Sequence, residues 1–116
     1  EDTTFESNDW RRGGGGGFSL RLFADDVFRR NLKVVDGVKE IAERLGKSLP
    51  ELALNWTLSH PAVSTALVGA RRVREVDANM GALGWTLSDN DRAAIDRVFD
   101  NYEVHTAPNK WVESLE

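Results

Sequence analysis

With 116 residues the chain is long enough for one modest domain with a core and too short for two. A net charge of −4 argues against a general nucleic-acid binder, and the absence of cysteine removes disulfides, thiolate metal sites and thiol nucleophiles. His60 and His105 lack metal-ligand spacing, and no apolar run nears the roughly 18 residues of a membrane span. No metal and no membrane are expected, and a cytoplasmic location is the default reading. Glu1 in place of an initiator methionine suggests a processed chain or a piece of a longer one.

Residues 1–24 carry no sustained period, and the run Gly13 to Gly17 is unsuited to regular structure because glycine loses the most backbone entropy on ordering. This lead-in is read as a loop, with Phe5, Trp10, Phe18 and Phe23 as candidate anchors. A helix follows. Asp25 or Asp26 is placed to cap it, and Phe28, Leu32, Val35, Val38, Ala42 and Leu45 recur at helical spacing. Gly46 stands where a left-handed cap belongs, and Gly37 inside the helix suggests close packing.

Ser48 with Glu51 three residues on predicts a capping box, and Pro50 fits the first turn of that second helix. Its residues Leu49, Leu52, Ala53, Leu54, Trp56 and Leu58 predict a well-buried element ended by His60-Pro61. Val63 to Gly69, VSTALVG, reads as a short strand buried on both faces. A third helix is expected over 72–83 with Val73, Val76, Met80 and Leu83 inward and Gly84 closing it. Ser88 with Asp91 opens a fourth, with Ala94, Ile95, Val98 and Phe99 inward; the tail from Asn101 has no period.

The strand poses a problem. Alone, it leaves N–H and C=O groups unpaired, and no second strand is legible to satisfy them. Parallel partners on chain beyond these residues are therefore expected, so the segment reads as the end of an α/β protein.

Arg71, Arg72 and Arg74 sit where that strand runs into a helix N-terminus. Each cation there costs about 0.3–1 kcal/mol against the helix dipole unless an anion is present. A phosphate approaching the backbone of Gly69 and Ala70 would reverse that sign, and Glu75 and Asn79, at i and i+4, face the same place. A solvated basic turn balanced by Glu75 and Asp77 explains the same residues without a ligand.

The run LALNWTLSHPAVSTALVGARRVREVDANMGALGWTLSDNDRAAID resembles the C-terminal part of the aldo-keto reductases, (β/α)₈ barrels that use NAD(P)H. The likeness lies in Leu52-Ala53-Leu54-Asn55-Trp56, in Gly69-Ala70-Arg71, in Glu75 with Asn79, and in Trp85-Thr86-Leu87-Ser88. FESNDWRR and FRRNLKVVDGVKEIAERLGKS are similar to that family's long loop after the seventh strand and the following helix.

The resemblance implies an α/β fold by descent: the C-terminal fragment of a TIM barrel, mostly helical, with four helices and one short buried strand near 63–69. It divides the chain into a lead-in at 1–24, barrel-derived helices and last strand at 25–100, and a tail at 101–116. It further implies that Gly69, Ala70, Arg71, Glu75 and Asn79 hold the adenosine 2′-phosphate and adenine end of NADP or NAD. Position 75 departs from the family, where glutamine or a basic residue is usual; Glu75 would weaken NADP relative to NAD or orient Arg71. The Gly13–Gly17 run lacks the polar residues a cofactor clasp needs. The family's catalytic Asp, Tyr, Lys and His have no counterpart here. Tyr102, His105 and Lys110 offer three of those residue types, but only in the tail. Trp10 and Trp111 are read as aromatic anchors or substrate contacts. A small carbonyl substrate is implied only for a complete barrel.

Two other readings compete. SLPELALNWTLSHPAVSTALVGARR echoes a helix-turn-helix, with Ser64 and Thr65 on base edges and the arginines on phosphates. The acidic charge and the His-Pro break disfavour nucleic acid. A truncated helical interaction protein would instead expose Leu52, Leu54, Trp56 and Val63 as a sticky face for self-association.

Overall fold

The computed structural model describes residues 4–9, 11–12 and 23–102. They form four helices: α1 (Asp25–Arg44), α2 (Leu49–Leu58), α3 (Val73–Met80) and α4 (Asp89–Asn101). Two compact units divide the chain, one of Asp36–Val98 and one of the flanking segments, so that α1 and α4 each carry residues of both.

In the flanking unit aromatic rings do the packing. Phe5 meets Phe23 edge-on at 5.8 Å between centroids, and Phe23 meets Phe28 at 5.9 Å. The Arg11 guanidinium lies 4.5 Å over the Phe5 ring while bonded to Asp9. Those hydrogen bonds from the Arg11 side chain and backbone hold the Asp9 carboxyl down at about 2. Phe5 and Phe23 thus act as the anchors expected of them; Trp10, Phe18 and the Gly13–Gly17 run lie outside the described residues. The first helix starts on Asp25 itself, with Phe28 N–H bonded to the Ala24 carbonyl at 2.6 Å. Asp25 is therefore a first-turn residue, where an acid complements the dipole, and does not occupy the cap position.

The Asp36–Val98 unit is built on Ile41, Ala42, Leu52, Ala82, Leu87 and Ile95, all buried. Of the α1 stripe, Ala42 is inside, but Val35 is exposed and the neighbouring Val34 is buried in its place. Phe28, Leu32, Val38 and Leu45 are half-buried, so of the expected stripe Val35 alone is exposed. At Gly37 a methyl group would stand 2.9 Å from Val98 Cγ1, so the glycine lets α1 and α4 approach.

Chain ends of the helices follow the local signals. Gly46 adopts φ +65°, Lys47 N–H bonds the Ala42 carbonyl at 2.9 Å and Gly46 N–H bonds that of Glu43 at 3.0 Å, a Schellman closure. Both bonds of the Ser48–Glu51 capping box are present. Gly81 leaves room for the Glu51 carboxylate, which a methyl group there would overlap. In α4 the Ser88 hydroxyl accepts Asp91 N–H at 3.2 Å, and the Asp91 carboxylate takes the Arg44 guanidinium at 2.8 Å.

The α2 helix is not buried throughout: Leu52 is inside, but Ala53 and Trp56 are exposed. Two further expectations fail. Residues 63–70 form neither strand nor helix, so the strand at 63–69 is absent among the described residues. The reason is the one its loneliness foretold: no second strand is there to take its backbone groups. The missing helix in 63–70 also removes the recognition element of a helix-turn-helix. Second, α3 is shorter than 72–83, and Val73, Val76, Met80 and Leu83 are exposed rather than inward. The residues described here offer no sheet for that stripe to cover. Leu52, by contrast, is fully buried, so it belongs to no sticky face. Of the other residues expected on that face Trp56 is exposed and Leu54 and Val63 are half-buried; further exposed apolar surface lies at Leu67, 98% exposed, and Val73, 78% exposed, with Val68, Val76, Met80 and Leu83.

No helix among the described residues is long and apolar enough to cross a membrane.

Candidate functional site

The turn before α3 brings the expected residues together. Arg72 is the N-cap, in extended geometry at φ −141° and ψ 151°, and its side chain makes no capping bond. That leaves the start of α3 without the side-chain acceptor that helix N-termini usually recruit. Glu75, in the first turn, instead reaches back: its Oε2 accepts the backbone N–H of Arg71 at 2.6 Å. One turn later Asn79 Nδ2 donates to the Gly69 carbonyl at 3.4 Å, a long bond. The i, i+4 spacing puts both side chains on one face, and that face looks onto the 69–71 backbone.

Gly69, Ala70, Arg71, Arg72 and Arg74 are all exposed. None of the three arginines pairs with a carboxylate among the described residues. A Cβ at Gly69 would touch nothing within 4 Å, and its backbone is not left-handed. Among the described residues nothing therefore demands glycine at 69. The site is an open basic turn whose floor is already occupied by a carboxylate and an amide.

Tyr102 closes α4, with its N–H bonded to the Phe99 carbonyl at 3.3 Å. His105, Lys110 and Trp111 in the tail, like Trp10, lie outside the described residues.

In the sequence Asn55 is one residue of the LALNW motif, and the structure gives it a definite task. It is 8% exposed, and its Nδ2 donates to the carbonyls of Ala82 at 2.9 Å and Trp85 at 3.0 Å. One amide thereby ties the loop after α3 to the middle of α2. The available signal was a single polar residue in the apolar run LALNWTL.

The sequence of the Aldo/keto reductase family matches residues 1–100, and the chain belongs to that family. It is 32% identical over 102 residues to "Aldo-keto reductase YhdN" of Bacillus subtilis, covering 87% of this chain and 29% of that protein. It is 34% identical over 85 residues to "L-glyceraldehyde 3-phosphate reductase" of Escherichia coli K12, covering 72% of this chain and 23% of the relative. A "Probable voltage-gated potassium channel subunit beta" of Arabidopsis thaliana is 41% identical over 63 residues, 54% of this chain and 18% of its own length. The chain thus spans less than a third of each of these relatives.

Proposed function

We propose that this chain is the C-terminal, cofactor-phosphate-binding portion of an NAD(P)H-dependent aldo-keto reductase, an oxidoreductase acting on carbonyls and alcohols. Family membership supports the oxidoreductase class. The reading of the site rests on one observation: Glu75 and Asn79 both bond back to the 69–71 turn at the start of α3, where Arg71, Arg72 and Arg74 form no ion pair with a carboxylate among the described residues. On this reading Gly69 and Ala70 admit the adenosine 2′-phosphate to the backbone, Arg71 neutralises it, and Glu75 and Asn79 border the adenine end.

Residues 25–100 are then barrel-derived, with 1–24 a lead-in and 101–116 a tail. In a complete barrel, residues 63–69 would take up the eighth strand and the exposed α3 stripe would be covered. The catalytic Asp, Tyr, Lys and His would come from strands outside this chain, which by itself turns over no carbonyl substrate. Barrel chemistry needs residues from several strand ends, and one strand end does not supply them. A second reading, self-association through the apolar surface around Leu67, Val68 and Val73, is favoured by their exposure. Sedimentation of the chain alone tests it.

The proposed cofactor seat is tested by thermal unfolding with and without NADPH. Ligand at 100 times its dissociation constant adds about 2.7 kcal/mol when it binds only the folded state. An upward shift that Arg71→Ala abolishes supports the seat; an unmoved, cooperative transition rejects it for this chain.

A further inference from the structure

No backbone N–H or C=O of residues 64–68 makes a hydrogen bond among the described residues. Val63 N–H bonds the His60 carbonyl at 2.9 Å, and the next bonded group along the chain is the Gly69 carbonyl, which takes Asn79 Nδ2. The side chains between are apolar where they are most open: Leu67 is 98% exposed, and Val68 is exposed beside it. Backbone groups open to water cost little. Any surface that buries Leu67 must bury them too, and burying them unpaired costs heavily. A partner for this segment therefore brings backbone donors and acceptors of its own, which means strand edges.

The helix that follows adds a second requirement. Val73, Val76 and Met80 fall on one face of α3 at i, i+3 and i+7, and all three are exposed. A strand leading directly into a helix with one apolar face is a unit of a parallel sheet, in which the helix covers the strands beside its own. Glu75 and Asn79 already bond back to the 69–71 turn, so segment and helix are tied together before any partner arrives.

A second copy of this chain brings, among the described residues, no sheet and only one more open segment. Pairing two such segments satisfies one edge of each and leaves the other bare. A barrel that lacks one strand offers both edges, because only closure removes them. Most of the Bacillus subtilis relative lies outside the 29% of it that this chain matches.

We propose that residues 64–68 and the Val73, Val76 and Met80 face of α3 form a docking surface for a separate chain, an aldo-keto reductase barrel without its own last strand and helix. This rests on the barrel-fragment reading given above and adds that the fragment acts in trans.

The test co-expresses the full 116-residue chain with the Bacillus subtilis relative cut just before the segment that matches it. The two should co-purify as one complex, and the intact relative, whose gap is filled, should not be retained. Leu67→Asp changes a side chain that is almost wholly exposed in the free chain, so its circular dichroism should be unchanged. Docking should nevertheless weaken by more than about tenfold, the least that burying a leucine is worth. Val73→Asp tests the helix face in the same way. Failure to co-purify, a shortened relative left insoluble, equal retention of the intact relative, or undiminished docking of Leu67→Asp overturns the proposal. A dimer of the chain alone that Leu67→Asp dissociates assigns the surface to a second copy and overturns it as well. A complex that forms without binding NADPH supports the docking surface and rejects the cofactor seat.

Discussion

The carboxylate of Glu75 accepts the backbone N–H of Arg71 at 2.6 Å, from the first turn of α3 onto the loop that leads into it. On the proposed reading a negative charge is thus held where the 2′-phosphate would approach. The bond organises the turn and at the same time opposes a second anion. Glu75→Gln keeps the shape and removes the charge, so NADPH should gain about tenfold in affinity relative to NADH, roughly 1.4 kcal/mol. Paired titrations of both cofactors check this; an unchanged ratio means that Glu75 does not sit beside the 2′-phosphate.

Gly37 faces Val98 across the packing of α1 on α4. Alanine normally improves a helix by about 1 kcal/mol over glycine, but here its methyl would stand 2.9 Å from Val98 Cγ1. Overpacking costs about 1–3 kcal/mol, so Gly37→Ala should destabilise by about 1 kcal/mol in urea unfolding. Combining it with Val98→Ala should show coupling, with the pair less destabilised than the sum of the single changes.

At Gly46 no neighbour lies within 4 Å of an added Cβ, so only its left-handed backbone resists substitution. Gly46→Ala should cost about 1–2 kcal/mol and Gly46→Asn clearly less, since asparagine tolerates that region. Thermal unfolding of the two variants side by side measures the difference.

Asn55→Ala removes both bonds that hold the 82–85 loop to α2. Leaving two carbonyls without their donor should cost about 2–4 kcal/mol. Hydrogen exchange should quicken first in the loop that those bonds hold.

Asp91 titrates below its ordinary value of 3.8, chiefly through the Ser88 hydroxyl and then through the Arg44 guanidinium. A carboxyl lowered by folding adds stability above its unfolded pKa and loses it as pH falls through the folded one. Arg44→Ala should therefore lower the urea midpoint at pH 7 by an amount worth less than about 1 kcal/mol. The gap from the parent chain should shrink as the pH is taken below the folded-state value.

Local signals determined much of this molecule. Ser48 and Glu51 specify the start of α2 because their partners are only three residues away, and Gly46 specifies the end of α1 because its φ is a property of one residue. Both were readable from spacing alone. So was the shared face of Glu75 and Asn79, a matter of helical geometry, and their bonds to the 69–71 turn span ten residues or fewer.

What tertiary structure decided were matters of partnership. VSTALVG has the composition of a buried strand, but a strand exists only through the backbone groups of a neighbour, and 63–70 form none here. Val73, Val76, Met80 and Leu83 have the period of an inward stripe and are exposed, because periodicity names a face without supplying the surface that covers it. In α1 Val34 is buried and Val35 exposed, a choice between adjacent residues that spacing alone does not make. Asn55 needed both Ala82 and Trp85, about thirty positions away, before its two bonds and its unmatched oxygen had any meaning.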